Sequence, residues 1–238
     1  MSTSSIRLFV TAPLAEGVNA PGSEAQAHYL ANVMRRAVGD TVLLFNGADG
    51  EWAAQLTELT RKKVTFAPHQ QTRPQAPEPD AWLCFALLKR TKTDMVVEKA
   101  TELGVSRIQP VITMRTQADH VNLDRLRAIA IEAAEQCERL AVPEIMPPMQ
   151  LPALMAQWPA GRSLFIADER RTARLLRFSS AASALLVGPE GGFTDAELAG
   201  IGAHPQVTRV SLGAQILRAE TAAIAGLALM LATDPPQE

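Results

Sequence analysis

The pattern of apolar and polar positions divides the chain into two parts. Residues 1 to about 72 carry short strand-like apolar runs, with one helix indicated by a capping box at Ser23 and Gln26. After residue 80, continuous apolar runs alternate with stretches of helical periodicity. Continuous apolar runs are typical of strands buried on both faces. Strands that alternate with helices predict a mostly parallel α/β sheet, preceded here by a small β-rich unit.

A proline-rich segment separates the two parts. Residues 68–80, PHQQTRPQAPEPD, contain four prolines and almost no apolar side chains, which is the composition of a linker. We therefore predict a β-rich domain over residues 1–72, a linker over 73–80 and an α/β domain over 81–238. In the α/β domain the pattern predicts strands over 82–88, 107–113 and 163–167, and helices over 93–103, 124–140 and 169–178.

Two glycine-containing loops near the C-terminus are the best candidates for a ligand site. The apolar run LLV at 185–187 leads into GPEGG at 188–192, and VSL at 210–212 leads into GAQ at 213–215. Glycines at the ends of strands let a ligand approach the backbone closely. Open α/β sheets bind ligands at the carboxyl ends of their strands, so two such loops predict one small-molecule pocket.

The chemistry of these loops argues against a phosphate ligand. The first loop lacks both G-x-G-x-x-G and the GK[ST] of a P-loop, and it carries a carboxylate, Glu190. A carboxylate favours a cation such as the sulfonium of S-adenosylmethionine; a tight turn without any ligand is the alternative. In the second loop, Arg218 and Glu220 precede a nearly all-apolar helix. Residues two apart on a helix do not face each other, so each charge needs its own partner or task.

Composition limits the other classes of function. A formal net charge of −2 means that any nucleic-acid surface must be a local patch. The two distant cysteines and four scattered histidines show no metal-ligand spacing, so we expect no metal site and a reducing compartment. The polar start and the lack of an apolar segment of membrane-spanning length lead us to expect a cytoplasmic protein. Basic residues form groups at 35–36, 61–63 and 89–92. Each group alone is consistent with an ordinary solvated charged face, but the three together favour a surface that contacts the phosphate backbone of a nucleic acid.

Taken together, the motifs resemble those of the ribosomal RNA uracil N3-methyltransferases, a family of SPOUT (trefoil-knot) methyltransferases. GPEGGFTDAE at 188–197 and SLGAQILRAETAA at 211–223 resemble the cofactor signature of that family. The spacing of further motifs in that family is resembled by three more runs: KATELGV at 99–105, IQPV at 108–111 and EAAEQCER at 132–139. HYLANVMRRAVGD at 28–40 resembles its N-terminal PUA-like RNA-binding domain, so the resemblance extends over nearly the whole chain.

The resemblance implies a SPOUT-type parallel sheet with a deep trefoil knot, joined to a PUA-like β-barrel domain. It further implies a homodimer that uses S-adenosylmethionine to methylate N3 of one uridine in 16S ribosomal RNA, within an assembled 30S subunit. The cofactor-binding residues implied are Leu186, Gly188, Pro189, Glu190, Gly191, Leu212, Gly213, Ile216, Leu217 and Arg218. The RNA-binding residues predicted are Arg7, Arg35, Arg36, Lys89, Arg90 and Lys92.

The chemistry of N3 methylation suggests roles for four residues. Uracil N3 becomes a good nucleophile only after it loses its imide proton, so a base is needed. A guanidinium near O2 or O4 would stabilise the resulting anion. Arg218 is the first candidate for that guanidinium, with Arg139 and Arg115 second, and Glu220 or Glu190 is the candidate base.

Two departures from the family pattern affect the RNA pocket. Gln215 stands where a second arginine is usual, and MRT at 114–116 replaces the usual E-R-S. Two alternatives therefore stay open: a SPOUT methyltransferase that modifies another RNA position, such as a ribose 2′-hydroxyl or a tRNA base, and an RNA-binding protein without activity.

Overall fold

The computed structural model describes residues 6–118, 120–168, 173–177 and 181–232. The chain divides into two compact units, one made of residues 1–77 with 134–142 and the other of 78–133 with 143–238. Composition predicts the boundary within residues 73–80. No signal in the sequence indicates that residues 134–142 belong with the first unit.

A sheet of mixed direction forms the first unit. Its strands are β1 (Arg7–Phe9), β2 (Ala20–Pro21), β3 (Thr41–Phe45), β4 (Glu51–Leu59) and β5 (Val64–Arg73). Over the described residues they follow the order β1-β3-β4-β5-β2. β1 is parallel to β3, and the other neighbours are antiparallel. Apolar side chains including Leu44, Leu56 and Phe66 fill one buried cluster, as predicted for a small β-rich unit.

The helix of the first unit begins at the predicted capping box. In α1 (Glu24–His28), Ser23 Oγ accepts from the Gln26 N–H, and Gln26 Oε1 accepts from the Ser23 N–H. The helix continues as a π-helical stretch, Tyr29–Val33. Arg35 follows with a left-handed backbone (φ 52°), so the basic pair at 35–36 lies in the turn that ends the helix.

β5 is longer than its composition indicates. The polar residues 68–73 continue the strand and pair with β4, so the linker-like composition of this segment is misleading. Backbone pairing does not require apolar side chains on a face that meets solvent. Side-chain bonds add to the pairing, because Thr72 and Arg73 both donate to the carboxylate of Glu51.

Arg7 is a buried structural residue. Its guanidinium donates to Glu51 Oε2 at 2.7 Å and to the backbone carbonyls of Ala134, Glu135 and Arg139. Its side chain is only 5% exposed. The RNA-binding role predicted for Arg7 is therefore wrong, because the guanidinium is buried and already used to fasten residues 134–139 within the first unit.

Acid pH should weaken the first unit through Glu51. Burial alone would raise its pKa, but hydrogen bonds from Arg73, Arg7 and Thr72 outweigh burial and lower the pKa from 4.5 to about 2. Because the folded-state pKa is the lower one, the ionised carboxylate stabilises the fold above the unfolded pKa of 4.5. This contribution, about 3 kcal/mol, is lost as the pH falls from 4.5 to about 2.

Urea denaturation of the Glu51→Gln variant measures this contribution. The variant should be less stable than the wild type at neutral pH and should lose less stability on acidification. Glu58→Gln is the matched control, since Glu58 lies on the same strand but its side chain is 40% exposed, and we expect a far smaller change. Equal acid sensitivity of Glu51→Gln and the wild type would contradict the assignment.

A parallel sheet forms the second unit. Its strands are β6 (Ala81–Ala86), β7 (Arg107–Ile112), β8 (Glu144–Ile145), β9 (Met149–Gln150), β10 (Ser163–Ala167), β11 (Ser183–Val187) and β12 (Val207–Val210). In the part of the chain that is described, the order is β12-β10-β11-β6-β7-β8, β9 also pairs with β7, and every pair is parallel. The predicted parallel α/β sheet is confirmed.

The helices that follow these strands are α2 (Arg90–Glu102), α3 (Leu123–Gln136), α4 (Leu151–Ala156), α5 (Asp195–Gly202) and α6 (Ala219–Leu231). α3 ends before the predicted residue 140, because Glu138 takes a left-handed backbone (φ 62°) and Arg139 N bonds back to Ala134 O. α4 is absent from the sequence prediction, because it contains Pro152 and prolines are ordinary loop signals. Pro152 is tolerated there because it stands in the first turn.

One prediction falls partly outside the described ranges. Of the predicted helix over 169–178, residues 169–172 and 178 are not described, and Leu175 forms a parallel β-bridge with Ser211. The trefoil knot implied by the resemblance stays a prediction. Among the helices of the described ranges, none combines the length and apolarity needed to cross a membrane.

Candidate active site

Three adjacent strands of the parallel sheet position the site. β12, β10 and β11 are neighbours in that order, and parallel strands end at the same edge of a sheet. β11 leads into the GPEGG loop and α5, and β12 leads into the loop over 211–218 and α6. Asp168 comes directly after β10, between them. The segments that follow all three strands therefore meet at one edge.

A cavity of about 440 Å³ lies between these segments, a size typical of small-molecule sites. The residues predicted to bind the cofactor that line it are Gly188, Pro189, Glu190, Leu212, Gly213, Ile216, Leu217 and Arg218. Leu186 does not line it, because its side chain points into the apolar core of the unit and is fully buried. Gly191 lies beside Arg115, whose Nη1 donates to the Gly191 carbonyl at 2.6 Å.

Sequence reasoning missed Asp168 and Phe193, which also line the cavity. The side chain of Asp168 is 3% exposed and lies 3.5 Å from Arg209. The sequence signal that could have identified Asp168 as a site residue is its position directly after a predicted strand. The ring of Phe193 packs against Gly188, where a Cβ would come within 2.9 Å of the ring. Position 188 therefore accepts glycine only, unless the ring moves.

Lys92 lies in this cavity and joins two carboxylates. Its Nζ is 3.1 Å from Glu190 Oε1 in the first loop and 3.3 Å from Glu220 Oε1 in α6. The pKa of Lys92 is raised, chiefly by the hydrogen bond to Glu190, with burial opposing and Glu220 adding to it. Burial would raise the pKa of Glu190, but its own backbone N–H and Lys92 together lower it. The sequence predicts Lys92 to contact RNA, whereas the structure gives it two partners inside the pocket.

One carboxylate oxygen of Glu220 has no hydrogen-bond partner among the described residues. Its side chain is 11% exposed, and Oε2 is fully buried without a hydrogen-bond partner among the described residues. Leaving a buried acceptor unpaired is costly, so this atom is suited to receive a donor from a ligand. The formal charges of Lys92, Glu190 and Glu220 sum to minus one, which favours a cation beside them.

The predicted catalytic arginines lie in different places. Arg218 directly precedes α6, lines the cavity, and is exposed without capping the helix. Arg115 is exposed and bonded to the GPEGG loop at Gly191. Arg139 belongs to the first compact unit, where its carbonyl accepts from Arg7. The structure therefore brings Arg218 and Arg115 to the glycine loops and gives Arg139 no place among the cavity-lining residues.

The remaining predicted RNA contacts are divided between the two units. Arg35 is exposed and Arg36 lies 3.9 Å from Asp40, both in the first unit. Lys89 and Arg90 are exposed where β6 leads into α2, at the same sheet edge as the cavity.

Comparisons with known proteins fit this geometry. Residues 75–231 match the family model of the RNA methyltransferase domain, and residues 23–68 match that of the RNA methyltransferase PUA domain. The ribosomal RNA small subunit methyltransferase E of Rickettsia conorii is 34% identical over 230 residues, covering 93% of each chain.

Two solved structures share the fold along nearly the whole chain. The ribosomal RNA small subunit methyltransferase E of Neisseria gonorrhoeae, bound to S-adenosyl methionine, is 29% identical with a TM-score of 0.85, covering 94% of this chain and 95% of that one. A Legionella pneumophila methyltransferase in complex with its bound cofactor SAM is 28% identical with a TM-score of 0.84, covering 94% and 96%. The family match over residues 75–231 and the Rickettsia relative together show that the chain belongs to the RNA methyltransferase family, within the ribosomal RNA small subunit methyltransferase E group.

Proposed function

We propose that this protein uses S-adenosylmethionine to methylate N3 of a specific uridine in 16S ribosomal RNA. The observation that carries the proposal is the cavity between the glycine loops, where Lys92 ties Glu190 to Glu220 and leaves Glu220 Oε2 unpaired. The relatives named for ribosomal RNA methylation, and the neighbours with the cofactor bound, support the reaction class and the cofactor.

The residues of the cavity suit S-adenosylmethionine. The volume of about 440 Å³ is adequate for a nucleoside with an amino-acid tail. Glu190 and Asp168 provide negative charge for a ligand that carries a sulfonium and an ammonium. Gly213, with φ at 132°, lets the backbone of the second loop take a path closed to most other residues. When bound, the cofactor supplies an electrophilic methyl group.

The protein's own residues complete the chemistry. Glu220 Oε2 accepts the imide proton of uracil N3, while Lys92 holds the other oxygen of the carboxylate in place. The guanidinium of Arg218, at the cavity wall, stabilises the uracil anion at O2 or O4. Much of the rate comes from holding the base in line with the methyl group. Since N3 is blocked in a paired base, the uridine must be unpaired or extruded.

The rest of the chain serves RNA recognition. Residues 1–72 form the main part of a PUA-like RNA-binding domain that presents Arg35 and Arg36, and residues 74–80, which follow β5, are the linker. Residues 81–238, apart from 134–142, form the methyltransferase domain, with Lys89 and Arg90 near its site. The protein acts as a homodimer on the assembled 30S subunit, as the family resemblance implies. A ribosomal substrate fits the cytoplasmic location expected from the sequence.

Substitution of Gly188 should weaken cofactor binding. In Gly188→Ala the new Cβ would come within 2.9 Å of the Phe193 ring, so the ring must move at the cavity wall. Calorimetry should show S-adenosylmethionine affinity reduced about tenfold, which corresponds to about 1.4 kcal/mol. Gly200→Ala is the control, because that Cβ in α5 meets nothing within 4 Å. Equal affinity in both variants would contradict a binding role for this wall.

The proposed function is tested on small ribosomal subunits from a bacterial strain that lacks this methyltransferase. The purified protein and S-adenosylmethionine are added, and the modified nucleotide is located by mass spectrometry of RNA fragments. A single methyl group on N3 of one 16S uridine is expected. A methyl group on a ribose, or on tRNA offered in parallel, would replace the assignment with another SPOUT activity. Cofactor binding without transfer to any RNA would favour an RNA-binding protein without activity.

A further inference from the structure

The second unit contains another cavity, of about 280 Å³, that shares no lining residue with the first. It lies between the start of α2 and the start of α3. Arg90, Thr93 and Asp94 line it from α2, Arg125 lines it from α3, and His120 lines it from the preceding segment.

The polar groups in this second cavity are mostly hydrogen-bond donors. Arg90 and Arg125 bring two guanidiniums, and His120 adds an imidazole. Asp94 is the one carboxylate among the described lining residues, and it is ion-paired with Arg125. Arg125 Nη1 is buried and has no hydrogen-bond partner in the described part of the chain. Among the described lining residues two guanidiniums stand against one carboxylate, and the unused donor of Arg125 suits an anion.

The cations around α2 also require an explanation. Lys89 occupies the N-cap position without a side-chain cap, Arg90 and Lys92 stand in the first turn, and that turn holds no acidic residue. Cations are disfavoured at a helix N-terminus because the helix dipole is positive at that end. Lys92 is neutralised by its two carboxylates in the first cavity. Lys89 and Arg90 are exposed, and an anion bound beside them would offset the unfavourable charge.

The first turn of α2 lies between the two cavities. Lys92 faces the first cavity, and Arg90, Thr93 and Asp94 face the second. We propose that the second cavity binds a backbone phosphate of the RNA strand that carries the target uridine, and so anchors that strand beside the methyl-transfer site. The proposal rests on the proposed function for its ligand, because an RNA substrate supplies the phosphate.

The test compares RNA binding by charge variants of the second cavity. Fluorescence anisotropy with a labelled single-stranded RNA of about ten nucleotides, titrated at several salt concentrations, gives both affinity and salt dependence. Arg125→Gln and Arg90→Gln should each weaken binding about tenfold and reduce the slope of log K against log salt by about 0.7. Arg127→Gln is the control, since Arg127 lies on the same helix but is exposed and pairs with Asp124.

Asp94→Asn separates phosphate binding from a merely structural ion pair. Removing the carboxylate makes the cavity more positive, so RNA affinity should hold or increase and the salt dependence should steepen. If the Asp94–Arg125 pair only stabilises the fold, Asp94→Asn and Arg125→Gln should lower the melting temperature alike and move RNA affinity in the same direction. That result would overturn the proposal. It would also be overturned if Arg125→Gln and Arg90→Gln bind RNA as tightly as the control Arg127→Gln, or if the wild type binds no RNA.

Methylation assays distinguish this proposal from the proposed function. If RNA binding responds to Arg125→Gln and Asp94→Asn in opposite directions but the wild type transfers no methyl group, the phosphate site stands and the enzymatic assignment fails. If the wild type methylates subunits and the cavity variants keep its RNA affinity and KM, the phosphate site fails alone. S-adenosylmethionine affinity should be unchanged in every cavity variant, because the first cavity shares none of these residues.

Discussion

Arg218→Ala should lower the rate of methyl transfer by about 10²- to 10³-fold, the effect of removing one donor from a developing anion. Arg218 lines the first cavity and directly precedes α6, one residue from the helix that brings in Glu220. Its side chain is exposed and does not cap the helix, so its removal should cost little stability. Initial rates with S-adenosylmethionine labelled in the methyl group measure the loss, and thermal unfolding checks the fold.

Two further variants sharpen the test of Arg218. Arg218→Lys keeps the charge but loses the planar guanidinium, which can donate two parallel hydrogen bonds. Its rate should therefore lie between those of the wild type and Arg218→Ala. Arg115→Ala removes the second candidate guanidinium, which is bonded to the Gly191 carbonyl. If Arg218→Ala turns over at a near-normal rate while Arg115→Ala does not, the anion is stabilised by Arg115 instead.

Sequence patterns predicted the cavity between the two glycine loops because it is built on regular elements. The strand predicted over 163–167 is β10, and the two glycine loops follow β11 and β12 and share a cavity. These features depend on local signals: apolar runs, capping boxes and glycines at strand ends. Thr194 and Glu197 are such a local signal, since they form a second capping box at the start of α5, just after the GPEGG loop.

Features that local patterns do not reveal depend on partners distant in sequence. In the sequence, Arg7 cannot be told from a surface arginine. In the structure, its guanidinium is hydrogen-bonded to Glu51 and to backbone carbonyls near residue 135. Lys92 belongs to a basic group by composition, yet its partners are 98 and 128 residues away along the chain. β5 continues through polar residues because β4 pairs with it. Charge and composition are local properties, whereas burial and pairing are set by the topology.

The link through Lys92 has a mechanistic consequence. One ammonium connects Glu190 of the GPEGG loop with Glu220 of α6, so the two halves of the site are held together by charge. Lys92 lies at the start of α2, whose other face borders the second cavity. A single helical turn thereby contacts the proposed cofactor pocket, the candidate base and the proposed phosphate site.

Glu220→Gln should reduce methyl transfer by about 10²- to 10⁴-fold, the range expected for the loss of a general base. Glutamine keeps the shape of the side chain and can accept a hydrogen bond, but it cannot take the imide proton from N3. Glu190 remains to pair with Lys92 in the variant, so the GPEGG loop should stay in place and S-adenosylmethionine should still bind. The rate is measured at saturating cofactor, and calorimetry checks cofactor affinity.

The pH dependence distinguishes a base from a structural residue. As the pH rises, a growing fraction of uridine loses its N3 proton to solvent, so the Glu220→Gln variant should recover activity relative to the wild type at alkaline pH. A residue that only shapes the pocket would give the same loss at every pH. Glu190→Gln is the matched comparison, since both carboxylates bind Lys92 but only Glu220 keeps a buried, unpaired oxygen among the described residues. Alkaline recovery in Glu190→Gln and not in Glu220→Gln would transfer the role of base to Glu190.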